Sequence, residues 1–182
     1  MSEFTAGVLY RTTQAEILNP LLEELTTVMI ADYDTLNDKW WVATLYGEIQ
    51  FSVAAPLDSD REAVNALLAL RTLSRHAPLL YFYNAEDHGW GYRILHQGEE
   101  TARFDQSYES GELPVNDPSQ APNYEQFAVF GFPAETLAQL QQLLHEASTQ
   151  PPFPDDEMDD EYVLPVERFK ALLDLQEMSW IG

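Results

Sequence analysis

Leu79-Leu80-Tyr81-Phe82-Tyr83-Asn84, Trp90-Gly91-Tyr92-Arg93-Ile94-Leu95-His96 and Thr101-Ala102-Arg103-Phe104-Asp105 are three strand-like runs in close succession. Ala85-Glu86-Asp87-His88-Gly89 separates the first two, and Gln97-Gly98-Glu99-Glu100 the second two. Connections this short join antiparallel neighbours, so the three runs predict a meander. Just upstream, Ser59 and Glu62 have the S-x-x-E spacing of a capping box, in which each side chain bonds an orphan amide at a helix start. The segment from Asp60 to His76 carries Val64, Leu67, Leu68, Leu70 and Leu73 near the period of one buried helical stripe, and Pro78 ends it. A helix leading into a three-stranded meander is therefore the frame for the rest.

Working outward toward the N-terminus, Thr13 and Glu16 have capping-box spacing, and Asn19-Pro20 offers a second start. The reading is a helix from about Gln14, kinked or restarted at Pro20, with Ile17, Leu21, Leu25 and Val28 on one face. Ala31 to Asp38 reads as polar and turn-like. Trp40 to Ala54 reads as a hairpin, Trp40–Leu45 and Ile49–Ala54, turning at Tyr46-Gly47-Glu48, with a single bulged strand as the alternative. On the C-terminal side, Gln106 to Asn123 is loop-like and holds Pro114, Pro118 and Pro122. Tyr124 to Phe132 reads as a strand. Pro133 introduces a helix with Leu137, Leu140, Leu144 and Ala147 on one stripe, and Pro165 opens a last helix with Val166, Phe169, Leu172 and Leu173 facing inward. Between these two, residues 149–161 read as a flexible acidic linker. The apolar end, Met178, Trp180 and Ile181, predicts a tied-down C-terminus. The expected architecture is one α+β domain over 1–182: an antiparallel sheet built from the hairpin and the meander, with helices packed mainly on one face.

Composition narrows the function classes. Nine Lys and Arg stand against 31 Asp and Glu, a net charge of −22, and such a surface repels phosphate backbones and anionic lipid. Nucleic-acid binding and membrane binding through a basic patch are set aside on that ground. The lack of cysteine excludes disulfides, thiolate zinc sites and a cysteine nucleophile. No signal peptide is read at Met1 to Arg11 and no apolar run reaches 18 residues, so a cytoplasmic location is expected. Lys occurs only at 39 and 170, which also suits a halophilic host. The acidity is segregated: no Lys or Arg lies between Arg103 and Arg168, a stretch that holds fourteen carboxylates. Ser59 to Asp105, by contrast, is close to neutral, with five bases and seven acids.

Catalytic signatures are weak. Asp87 and His88 sit at a hairpin tip, where an acid/base pair needs a pocket and an orienting group, and a solvated turn rich in turn-formers is the preferred account of them. The histidines at 76, 88, 96 and 145 lack metal spacing. Neither Asp32, Asp34 and Asp38 nor the 155–161 run fits a calcium loop, which needs Gly at its sixth position and Glu at its twelfth. No catalytic residue, metal ligand or cofactor is assigned.

The hairpin Trp90-Gly91-Tyr92-Arg93-Ile94-Leu95 with Gly98-Glu99-Glu100-Thr101-Ala102-Arg103-Phe104-Asp105 resembles one in small uncharacterised bacterial α+β proteins, some of them toxin-immunity proteins. The resemblance covers about sixteen residues and implies a non-enzymatic protein that blocks a partner. It carries no functional residue with it. Together with the charge it leads to the expected function, a protein-binding module for a basic partner. Asp155, Asp156, Asp159 and Asp160 would steer that partner, and Trp90, Tyr92 and Tyr108 would anchor it by desolvated contact. A carboxylate- and histidine-dependent hydrolase or transferase, and a structural protein with solubilising charge, are the alternatives. Oligomeric state is not read from the sequence.

Overall fold

A computed structural model describes residues 4–54, 61–108, 123–150 and 162–178 of the chain. Its centre is β1 (Thr5–Arg11), buried along almost its whole length. After a 3-10 turn, α1 (Ala15–Glu23) crosses the sheet, and the chain returns as the hairpin β2 (Ile30–Thr35) and β3 (Trp40–Leu45). Next come α2 (Gly47–Ala54) and α3 (Arg61–Leu73). The meander follows as β4 (Leu79–Asn84), β5 (Gly89–His96) and β6 (Glu99–Ser107). A 3-10 segment at Tyr124–Phe130, α4 (Ala134–Thr149) and α5 (Pro165–Leu173) complete the described chain. The six strands form one sheet in the order β2-β3-β1-β4-β5-β6, antiparallel at every pairing. The expected α+β class, the antiparallel sheet and the meander are therefore present. Among the described residues no helix is long and apolar enough to cross a membrane.

The helices lie on both faces of the sheet, not mainly on one. Strand alternation explains this. Ala6, Val8, Tyr10, Ala43, Tyr81 and Leu95 point to one side, where Leu18, Leu22, Val53, Ala66 and Leu70 of α1, α2 and α3 cover them. Leu9, Trp40, Phe82, Trp90, Tyr92 and Phe104 point to the other, under Phe127, Leu140, Leu144, Phe169 and Leu173. A six-stranded sheet that is apolar on both faces needs two covers.

Several local readings change for identifiable reasons. The segment 47–54 is a helix, not the second arm of a hairpin, because β1 and β2 already occupy both edges of β3. Gln50 N–H donates to Tyr46 O at 3.1 Å, the first helical bond. The 31–38 segment forms an edge strand followed by a turn: exposed Asp32 and Asp34 are tolerated because an edge has one side in water. Tyr124–Phe130 is 3-10, and its three-residue repeat sets Phe127 and Phe130 on one side, both buried. Gly131 ends it at φ 81°. In α3 the buried stripe is Ala63, Ala66, Leu70 and Leu73, whereas Val64 and Leu68 face outward. α1 runs through Pro20 as one helix and buries Leu18 and Leu22 while Ile17 stays exposed. The helix starts at Ala134 and Pro165 agree with the proline reading. Ser59, most of the acidic linker and the terminal residues 179–182 lie outside the described residues.

Candidate functional site

Trp90 and Tyr92, expected as partner anchors, are both 0 % exposed. Alternation along β5 puts them with Ile94 on the aromatic face, so neither side chain reaches solvent. Trp90 Nε1 donates to Gln106 Oε1 at 2.7 Å, and Gln106 Nε2 donates onward to Ala147 O at 3.0 Å. The Tyr92 ring stacks on Phe169 with 5.3 Å between centroids and a 4° interplanar angle. Tyr108 is half-buried against the same cluster, and burial pushes its phenol up to about 12. Asp155, Asp156, Asp159 and Asp160 lie outside the described residues. Glu86, Asp87 and His88 are exposed at the β4–β5 turn.

Across the meander, the opposite face carries a row of polar groups. Tyr83, Gly91 and Asp105 stand side by side in register on β4, β5 and β6. Tyr83 Oη donates to Asp105 Oδ1 at 2.6 Å, reaching over β5. The missing side chain at position 91 makes this bridge feasible: a Cβ there would sit 2.8 Å from Tyr83 Cε1 and 2.4 Å from Phe104 O. Arg103 Nε donates to the other oxygen, Asp105 Oδ2, at 2.8 Å. Burial, then the Asp105 charge, holds the Tyr83 phenol far above its ordinary value. Next in the row, Arg93 is 2 % exposed and donates from Nη1 to Glu100 Oε2 at 2.9 Å. A buried guanidinium of this kind is tolerated only with its counter-ion in place. A cleft of about 190 Å³ opens between this row and the turn, lined by Tyr83, His88, Asp105, Gln106 and Ser107 among others.

A second region is defined by charge. Among the described residues β2 is an edge strand that pairs only with β3, and Asp32 and Asp34 are exposed along it. Each carboxylate accepts from the next backbone amide, Tyr33 N–H at 2.9 Å and Thr35 N–H at 2.6 Å, which holds the pair in place. Tyr33 Oη donates to Glu23 Oε2 at 2.7 Å and ties the edge to α1. That bond, before desolvation and the nearby carboxylates, raises the Tyr33 phenol. Glu16 and Glu23 of α1 and Glu24 at its C-cap add exposed negative charge. From Thr12 to Asp60 the only base is Lys39, and it is already paired with Asp174 at 2.5 Å. Exposed apolar side chains flank this edge: Val28, 67 % exposed, lies in the α1–β2 turn, and Tyr46 bonds back to the same turn through Thr26 O.

Sequence reading missed both arrangements. The Tyr83–Asp105 bridge depends on strand register, and its one sequence trace is Gly91, a glycine inside an aromatic strand. The β2 edge left no apolar alternation to detect. Among the described residues no group of three or more His, Asp or Glu side chains is placed to hold a metal ion. No family model, no curated protein and no solved structure matches this chain.

Proposed function

We propose that the chain is a non-enzymatic, cytoplasmic protein-binding module that engages a basic partner, as an immunity protein or inhibitor does. The observation that carries this reading is the acidic β2 edge, with its ordered Asp32 and Asp34 beside Glu23 of α1. An unpaired edge offers backbone donors and acceptors to an incoming strand. Carboxylates along it repel a second copy of the same edge and favour a Lys- or Arg-rich segment. With Trp90 and Tyr92 in the core, the apolar contact falls to exposed Val28 and Tyr46 beside the edge. The carboxylates of 155–161 supply further long-range attraction, which raises the on-rate more than it slows dissociation.

The test is capture of a basic protein from host lysate, followed by rate measurements with the identified partner. Association should slow by about tenfold between low and physiological ionic strength. A Glu23→Gln, Asp32→Asn, Asp34→Asn variant should associate more slowly with little change in dissociation, as should the 155, 156, 159 and 160 Asn variant. Captured proteins that wash off at physiological salt, or an on-rate indifferent to both variants, would sink the reading.

The second reading is a hydrolase or transferase, and the cleft gathering His88, Asp105 and Ser107 favours it. Asp105 is committed through both oxygens to Tyr83 and Arg103, which makes it an anchor for those groups before it is a base. Labelling of Ser107 by a serine-directed phosphonylating probe, lost in His88→Ala, would support this reading over the first.

A further inference from the structure

Arg11 is the least expected cation in the chain. It ends β1, half-buried, with its guanidinium carbon 4.2 Å from the centre of the Trp40 ring and 4.5 Å from that of Phe132. Its Nε donates to Phe130 O at 2.8 Å. In a chain with 31 carboxylates, this arginine forms no ion pair among the described residues, and its two terminal amino groups have no hydrogen-bond partner there. The nearby Asp174 carboxylate is taken by Lys39. Arg11 faces a cleft of about 330 Å³ lined by Thr12, Thr13, Asp38, Lys39 and Phe130.

We propose that this cleft is a carboxylate-binding site centred on Arg11, taking small monocarboxylates with an aromatic or apolar tail. Ring faces hold the guanidinium, and its Nε is already satisfied, so the two terminal amino groups form a fixed fork. Such a fork matches a planar carboxylate through two parallel bonds. Phe130 supplies an apolar wall beside the fork. The local charge selects for a monoanion. Arg11 and Lys39 are offset by Asp38 and Asp174, so a dianion such as phosphate meets two like charges as well as the net −22 of the chain. The volume lies at the lower end of small-ligand pockets, which run from about 300 Å³. This site is independent of the β2 edge, and its test does not involve the protein partner.

The experiment is a heteronuclear NMR titration of the intact protein with benzoate, benzamide and inorganic phosphate at constant ionic strength. It reads the Arg11 Nε–H signal and the amides of Thr12, Thr13 and Lys39. Benzoate should shift these signals saturably, its neutral isostere benzamide should not, and phosphate should bind more weakly. Arg11→Lys keeps the charge and loses the fork, so benzoate affinity should fall by about tenfold. Asp38→Asn, at an exposed position, should raise it by about two- to threefold by removing a like charge. Equal shifts with benzamide, shifts that do not saturate, or phosphate binding as tight as benzoate would overturn the assignment. So would unchanged affinity in Arg11→Lys, or no gain in Asp38→Asn, a variant that remains readable if the Arg11 substitution disturbs folding.

Discussion

The two faces of the sheet are built from different chemistry. The face under α4 and α5 is aromatic: Trp40, Phe82, Trp90, Tyr92, Phe104, Phe127, Phe130 and Phe169 form one contiguous cluster. The face under α1, α2 and α3 is mostly aliphatic, with Ala, Val and Leu side chains, and its tyrosines are polar bridges. Tyr10 donates to Asn19 Oδ1, Tyr81 to Gln50 O and Tyr83 to Asp105 Oδ1, at 2.7, 2.8 and 2.6 Å. On the aromatic face the Tyr92 hydroxyl is buried with no partner among the described residues. On the aromatic face the directed bonds come from the indoles, Trp40 Nε1 to Leu173 O and Trp90 Nε1 to Gln106 Oε1, each at 2.7 Å, whereas on the other face they come from tyrosine hydroxyls.

Alkali should break both faces at once, and this is the largest effect expected. Burial is the main cause that raises the phenols of Tyr10, Tyr81, Tyr83 and Tyr92 far above 10 and pushes Tyr108 up to about 12. Their contribution to stability is complete below the unfolded value near 10. Above it the unfolded chain releases protons that the folded chain retains, so stability falls as pH rises toward the folded values. The slope is about 1.4 kcal/mol per pH unit for each tyrosine. Several such groups together exhaust an ordinary stability of about 5–15 kcal/mol within one or two units. Denaturant midpoints measured from pH 9 to 12 should collapse above pH 10, and tyrosinate absorbance should rise together with loss of circular dichroism. Tyrosinate appearing in a chain that keeps its circular dichroism would mean these hydroxyls are reachable in the folded state.

A core truncation separates the faces. The Phe169 ring lies 5.1 to 5.9 Å from those of Trp90, Tyr92, Phe82 and Phe127, so Phe169→Ala removes the hub of the aromatic cluster. The cost should be about 3–5 kcal/mol, read as a lower urea midpoint with the near-ultraviolet aromatic signal lost. On the other face Leu70→Ala, costing about 2–5 kcal/mol, should spare that signal. A Phe169→Ala protein with the original midpoint would show α5 to be an attachment and not part of the core.

How much of this was legible depends on which interactions decide each element. The meander, α3, α4 and α5 follow from local signals: short connections, proline at helix starts and apolar stripes. β1 gave no signal because Thr5-Ala6-Gly7-Val8-Leu9-Tyr10 is buried on both faces and does not alternate in polarity. Its fit is tertiary: at Gly7 a Cβ would lie 2.6 Å from Val42 Cγ2. The 47–54 segment alternates Ile49, Phe51 and Val53 as a strand would, yet no sheet edge beside β3 was free to receive it. In α3, Leu68 belongs to the sequence stripe but is 52 % exposed, because Ala63 and Ala66 let the helix approach the sheet on a different side. The acidity of β2 was legible as composition, but its position on an edge was not. Arg11 gave no local trace, since its aromatic partners Trp40 and Phe132, and the Asp38, Lys39 and Phe130 walls of its cleft, are distant in sequence.

The smallest effect is the sharpest probe of the difference between the faces, because its sign reverses. Tyr83→Phe removes the donor to Asp105 Oδ1 while leaving the ring in its stack with Phe4, 6.4 Å away. Losing one charge-assisted bond and stranding a half-buried carboxylate oxygen should cost about 1.5–3 kcal/mol. Tyr92→Phe deletes a hydroxyl that is buried and bonded to nothing described, while the stack on Phe169 is retained. Burying a hydroxyl without a partner is unfavourable by about 1–3 kcal/mol on mutational scales, so its removal should leave stability unchanged or raise it by about 1 kcal/mol. The hole left by one oxygen atom in a tightly packed cluster offsets part of that gain. Guanidinium chloride midpoints for the two variants should therefore move in opposite directions, or one should fall while the other stays. A fall of equal size in both would mean that the Tyr92 hydroxyl is held in the folded protein, and that the aromatic face is organised by a tyrosine bond as well as by its indole bonds and its rings.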